Sequence, residues 1–309
     1  MSRNIGIAVV QMAPIPHDAQ ATLGKIDALV EQSNWYLSWA DMLCFPELIL
    51  DGLSAFVPFG VVPDGQPIPG PISDHLCNLA ARFHKWLIPG SMSERDGNNI
   101  YNTAIVISPK GEIVTRYRKI FPWRPHETCK AGDTFSVFDV PSIGRFGICI
   151  CYDMWFPEVA RTLSWMGAEV ILQPSLTQTS DRPMETIMIQ ANAITNQCYY
   201  IGINGTGQFG GGRSMIVDPN GHILQQADQH ECVLSEILDL DLVSTTREYG
   251  TLGLCQTWKS LRDDPITFPP YSNGIAASPM VKGLGPMAFR HTLLHDESQS
   301  TELVHRFGD

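Results

Sequence analysis

Residues 147–158 read Gly-Ile-Cys-Ile-Cys-Tyr-Asp-Met-Trp-Phe-Pro-Glu, and the reading of this run decides the fold. The apolar segment from Phe146 to Ile150 suits a buried strand, and Cys151 stands at its end. A helix follows: Pro157 fits a first-turn position, and Glu158 places negative charge near the positive end of the helix. A cysteine between a strand and a helix sits where nucleophiles are often mounted, because backbone N–H groups there can face a reacting oxygen. The same residue also reads as a plain buried thiol, since cysteine is among the most buried residue types.

Outward from this run, short apolar strands alternate with amphipathic stretches. Strands are expected at 5–11, 41–45, 86–90, 102–108, 112–118, 145–150, 169–173, 198–203, 213–218, 222–226 and 232–237. Helices are expected at 18–38, 71–85, 156–167 and 183–196. Pro109-Lys110-Gly111 and Asp218-Pro219-Asn220-Gly221 have the chemistry of hairpin turns. Crossovers mixed with hairpins imply a mixed sheet and the α/β class. At 309 residues the chain holds one large domain or two smaller ones.

Two further segments carry chemistry. Asp41-Met-Leu-Cys-Phe-Pro-Glu47 reads as a short buried strand that ends on a carboxylate. Tyr117-Arg-Lys-Ile-Phe-Pro-Trp123 closes a strand pair with a lysine. Together with Cys151-Tyr152-Asp153 these segments resemble the nitrilase superfamily of carbon–nitrogen hydrolases, in its amidase and carbamoyl-hydrolase branches. That family carries a Glu–Lys–Cys triad in this chain order, which the resemblance places on Glu47, Lys119 and Cys151. Glu127 matches its accessory glutamate. The resemblance extends from Ile5–Pro14 through Ala191–Asn196, Asn204, Ser214–Gly221 and Arg247, then fades after about residue 258. It implies a four-layer αββα sandwich over residues 1–257. Residues 258–309 would be a C-terminal extension, an extended arm packing on a partner subunit of a homodimer. The stretch from Asp264 to Ala288 is rich in Pro, Gly and Ser, with Phe268 and Tyr271 as apolar anchors.

The chemistry explains the grouping. A free thiol has a pKa near ~8.5 and needs a base as it attacks. The resemblance implies Glu47 as that base, Lys119 with the Tyr152 N–H as oxyanion stabilisers, and a thioester on Cys151. Cys149 is the local competitor, read as strand core because it lies within the apolar run. His126 raises a Cys–His alternative, with no third group in view to orient it. Gly205-Thr-Gly-Gln-Phe-Gly210 has dinucleotide-loop spacing, but it leads into another strand where such a site needs a helix N-terminus.

The expected substrate is a small amide or carbamoyl compound, with Tyr152, Trp155, Trp123 and Gln178 lining its pocket. Trp155 stands where branches that act on acid-bearing amides carry arginine, and an indole cannot pair a carboxylate. Lys119–Glu127 resembles aliphatic amidases and formamidases. Met154–Glu158 resembles N-carbamoylputrescine amidohydrolases. A non-catalytic binding module is the third reading. A net charge of −11 argues against nucleic-acid or anionic-membrane partners. Eight cysteines in this length make no disulfide scaffold, and neither a signal-peptide core nor an 18-residue apolar run is present, so a cytoplasmic enzyme is expected. The nine histidines show no ligand spacing, so no metal and no other cofactor is expected.

Overall fold

Strand β1 (Asn4–Gln11) directs Ile5, Ile7 and Val9 to one face and Ala8 and Val10 to the other, and all five are buried. A strand buried on both faces needs a layer on each side. The computed structural model supplies both layers; it describes residues 2–16, 18–51, 65–208, 210–264, 266–274 and 278–284.

In the first sheet β1 runs parallel to β2 (Met42–Cys44), and β2 runs parallel to β3 (Trp86–Ile88). Antiparallel strands complete it. β13 (Cys232–Asp239) pairs with β1, and β5 (Asn99–Ile107) pairs with β3, β4 (Ser91–Asp96) and β6 (Ile113–Arg118). The second sheet repeats the plan. β8 (Gly144–Ile148), β9 (Val170–Ser175) and β10 (Tyr199–Asn204) are parallel at its centre. β7 (Ser136–Val140) pairs with β8, and β11 (Met215–Val217) and β12 (Ile223–Gln226) complete the other edge.

The sheets meet through one core, where Ile7, Val9 and Cys44 pack with Ile148, Leu172 and Ile201. Helices α1 (Ala19–Tyr36) and α2 (Pro71–Phe83) cover the outer face of the first sheet through Leu23, Ile26, Val30, Leu76 and Leu79. Helices α3 (Pro157–Trp165) and α4 (Arg182–Asn196) cover the second through Val159, Leu163, Ile189 and Ala193. The order helix, sheet, sheet, helix is the expected four-layer αββα sandwich. Each fully buried Leu, Ile or Val contributes ~1.5–3 kcal/mol, so these helices are held by burial more than by propensity.

Some elements differ from expectation. The strand before Cys151 ends at Ile148, and a 3-10 turn, Cys151–Trp155, precedes α3. Strands β4 and β7 and helix α5 (Leu240–Tyr249) were not expected. β4 (Ser-Met-Ser-Glu-Arg-Asp) reads as loop by composition, yet it pairs in full antiparallel register with β5 around Gly97, whose φ of 59° suits the turn. Val243, Thr245 and Thr246 weaken the helical signal of α5.

By contacts the chain divides into two compact units. One comprises residues 1–122 and 129–258 and holds both sheets; the other comprises Trp123–Thr128 and the described residues from Lys259 on. In the second unit, α7 (Pro269–Asn273) and α8 (Pro279–Lys282) form where an extended arm is expected; α6 (Thr257–Asp263) precedes them. Each of α7 and α8 starts on a proline, which is pre-set for a first helical turn. Phe268 packs against Tyr271 with ring centroids 5.8 Å apart. Of the Asp264–Ala288 stretch, Pro265, 275–277 and 285–288 lie outside the described residues.

Candidate active site

Glu47 opens the turn that follows β2. Its position depends on Gly90, which has a φ of 76° and lies so close to Pro46 that a Cβ there would overlap the Pro46 carbonyl oxygen. The Phe45 N–H donates to Ile88 O and the Glu47 N–H to Ser175 O, tying this loop to both sheets. Lys119 directly follows β6, with its N–H on the Asn102 carbonyl. Both side chains are buried. Lys119 Nζ donates to Glu47 Oε1 at 2.9 Å, and Asn102 Nδ2 donates to the same oxygen at 2.8 Å. A buried ion of either sign is costly alone, so the two charges hold each other in place.

Cys151 opens the 3-10 turn with a φ of 48°, a left-handed conformation that costs a non-glycine residue ~1 kcal/mol or more. Its carbonyl accepts Gln173 Nε2 at 3.1 Å, and its Sγ lies 3.6 Å from Thr177 Oγ1. Thr177 belongs to the segment whose Ser175 carbonyl accepts from Glu47, so one strand end joins the glutamate's backbone to the cysteine's sulfur. The Asn204 side chain clasps Thr177, accepting from its N–H at 2.8 Å and donating to its carbonyl at 3.0 Å.

Asp153 locks the turn. Its fully buried carboxyl accepts the Tyr117 hydroxyl at 2.6 Å and the N–H groups of Ile150 at 2.8 Å and Phe121 at 2.9 Å. Burial pushes its pKa up to about 6, opposed by those hydrogen bonds and by the charge of Lys119. Burial, then Asp153 itself, raises the Tyr117 hydroxyl far above its ordinary value. The Tyr-Arg-Lys and Cys-Tyr-Asp segments are therefore joined by a hydrogen bond between their first and last residues.

Cys149, the competing thiol, packs in the core against α3 and α4, 3.5 Å from the Tyr200 hydroxyl, and burial raises its pKa. Cys151 packs against the inter-sheet core instead. Tyr152 and Trp155 are half-buried. They belong to an aromatic group in which Phe156 meets the Tyr152 ring edge-on at 5.3 Å and stacks on Phe121 at 3.7 Å. Gln178 is exposed on the loop after β9. Glu127 and Trp123 lie in the second unit. There the Trp123 N–H donates to the Glu127 carboxylate, the Glu127 N–H returns to Trp123 O at 2.8 Å, and His126 stacks on the Trp123 ring.

The glycine loop leads into β11 and no helix, as expected. Gly205 and Gly211 donate to the carbonyls of Ser175 and Thr177. Phe209 lies outside the described residues. Asn102, Asp153 and Glu185 have no role in the sequence reading, and Thr177 enters it only within Gln173–Thr179, a segment expected to line the pocket. Asn102 had a signal: an amide inside the apolar run Ile100–Ile107 must find partners. Among the described residues no group of three or more His, Cys, Asp or Glu could hold a metal ion, and no helix is long and apolar enough to cross a membrane.

The carbon-nitrogen hydrolase family model matches residues 6–248, and the chain belongs to that family, within the nitrilase superfamily. Formamidases of Bacillus thuringiensis and Bacillus cereus are 32% identical to it over 220 residues. That match spans 65% of this chain and 66% of theirs. Nit3 of Saccharomyces cerevisiae, a member of branch 10 of the nitrilase superfamily, superposes with a TM-score of 0.71 at 27% identity, over 80% of this chain and 94% of its own. A carbon-nitrogen hydrolase from Helicobacter pylori G27 shares the fold with a TM-score of 0.74 at 24% identity, over 87% and 98% of the two chains.

Proposed function

We infer that this chain hydrolyses a carbon–nitrogen bond of a small amide through a thioester on Cys151. Cys151 sulfur attacks the carbonyl carbon while Glu47 takes the thiol proton. The oxyanion that forms draws on Lys119 and the Tyr152 N–H; losing one such donor costs ~3 kcal/mol of barrier. Glu47 then protonates the departing ammonia or amine. Water, deprotonated by Glu47, cleaves the thioester to a carboxylic acid and restores the thiol. Glu127 orients the substrate amide or the water. The observation that carries this reading is the buried Glu47–Lys119 pair, tied through Ser175–Thr177 to the sulfur of Cys151.

The formamidase relatives favour a simple amide. The aromatic group around Trp155 favours a neutral, apolar or cationic tail and leaves room for a second reading, an N-carbamoyl amine, whose hydrolysis would release the amine, carbon dioxide and ammonia. Ammonia release from a panel of small amides, ureides and nitriles tests the reading. Turnover is expected with neutral amides and none with Cys151→Ala; turnover that survives in that variant refutes it. Trp155→Arg should narrow or reverse the preference for a neutral over an ω-carboxylate amide, an effect of ~1–2 kcal/mol in kcat/KM. Residues 258–309 are proposed as the packing arm of a cytoplasmic homodimer, which analytical ultracentrifugation of the full chain checks.

A further inference from the structure

Behind the sulfur of Cys151 lies a buried polar chain. Thr177 Oγ1 is 3.6 Å from Cys151 Sγ and donates to Glu185 Oε1 at 3.1 Å. Arg182 Nη1 donates to Glu185 Oε2 at 2.8 Å, and both side chains of that pair are buried. The other two guanidinium nitrogens are also engaged, Nε on the Gly212 carbonyl at 3.0 Å and Nη2 on the Arg213 carbonyl at 2.8 Å. Arg182 is thus fixed from two sides, Glu185 by Arg182, and the Thr177 hydroxyl by Glu185.

A hydroxyl has one proton to give. Here a carboxylate oxygen takes it, a stronger and closer acceptor than the sulfur. What Thr177 turns toward Cys151 is therefore a lone pair, which accepts an S–H and offers a thiolate nothing.

We propose that the Thr177–Glu185–Arg182 chain holds Cys151 in its neutral thiol form in the resting enzyme, so that the thiolate arises only as substrate is attacked. Thr177 touches the reacting atom; Glu185 and Arg182 are positioning residues. In the attack the S–H proton leaves Thr177's lone pair for the Glu47 carboxylate, and the sulfur electron pair forms the S–C bond. The resting enzyme is thereby kept from indiscriminate alkylation. The inference deepens the proposed function and rests on Cys151 being its reacting thiol.

The charged and titratable groups around this corner are the Glu47–Lys119 pair, Asp153 with Tyr117 on its carboxyl, Glu185 with Arg182, and Cys149 with Tyr200. Thr177→Val removes none of these groups, takes one hydrogen bond from Glu185, and keeps the backbone clasp of Asn204. The test is iodoacetamide labelling of the full chain across pH, read by mass spectrometry on the peptide that contains Cys151. Thr177→Val should lower the labelling midpoint by about 0.5–1 unit and speed labelling near pH 7 by roughly three- to tenfold, the scale of one lost hydrogen bond to the neutral form. Thr177→Ser, which restores the hydroxyl, should follow wild type. If valine impairs folding, Thr177→Ala removes the same hydroxyl and should shift the midpoint the same way. A midpoint that stays or rises without the hydroxyl means that Thr177 donates to the thiolate or does nothing, and overturns the proposal. Labelling does not depend on turnover. An absent shift would leave the nucleophile assignment intact, and turnover surviving in Cys151→Ala would remove that assignment whatever the midpoint does.

Discussion

The two sheets furnish the candidate site in different currencies. The first contributes buried charge, Glu47 and Lys119, with the Asn102 amide donating to the same Glu47 oxygen as the lysine. The second contributes Cys151, the proposed nucleophile, on a left-handed turn residue beside Thr177 and braced by Asp153. A buried ion left without its partner is expensive, whereas a half-buried thiol trimmed to a methyl group leaves almost nothing unsatisfied. Function and stability should therefore separate on the second sheet and stay coupled on the first.

The largest contrast lies between Cys151→Ala and Lys119→Met. Cys151→Ala should abolish turnover while shifting unfolding free energy by no more than ~1 kcal/mol. Lys119→Met and Glu47→Gln should each cost at least ~10³ in rate, and Lys119→Met should also cost ~3–5 kcal/mol of stability because it strands a buried carboxylate. The double variant should lose far less than the product of the singles. Michaelis kinetics and urea unfolding of the same preparations read both quantities. A Lys119→Met protein as stable as wild type would break the comparison.

Next in size is Gly90→Ala, on the first-sheet side alone. A side chain there meets the Pro46 carbonyl oxygen and must adopt positive φ, so the Glu47 loop has to move. A loss of ~2 kcal/mol in stability and ~10²-fold in rate is expected, since small misplacements of a catalytic group are costly. Unaltered kinetics would show that the loop does not set the position of Glu47.

Asp153 gives an effect confined to a pH window, absent from activity at fixed pH, and sharpens the second-sheet side. Its folded pKa, about 6, lies above the ordinary 3.8. The folded state therefore binds its proton more tightly than the unfolded chain does. The stabilisation from this group is complete below about pH 4 and is lost as pH rises through about 6, by ~3 kcal/mol in all. The stability of wild type relative to Asp153→Asn, measured by urea unfolding from pH 4 to 7, should fall by that amount across the window. A flat difference would mean that Asp153 keeps its ordinary acidity despite burial.

The same asymmetry explains what could be read from sequence. Glu47, Lys119 and Cys151 stood out because their local runs resemble the motifs of the nitrilase superfamily, and that resemblance also implied the layer order; the alternation of strands and helices alone reached only the α/β class. The supports did not stand out. Thr177 and Glu185 lie 8 residues apart in a polar loop and a helix start, and nothing local says that they meet behind a sulfur 26 residues away in sequence. Asn102 was visible only as an unexplained amide in an apolar strand. β4 was hidden because its polar side chains are satisfied by ion pairs of Glu94 with Arg116 and Arg118 on β6, a partnership no periodicity encodes.

The most direct test of the central claim is a trapped intermediate. Wild-type protein mixed with a slowly hydrolysed amide, acid-quenched and digested, should carry the acyl mass on the peptide containing Cys151, with the adduct absent from Cys151→Ala. Assignment of the adduct to Cys149 within that peptide, or steady turnover with no acyl-enzyme at any quench time, would contradict the thioester mechanism.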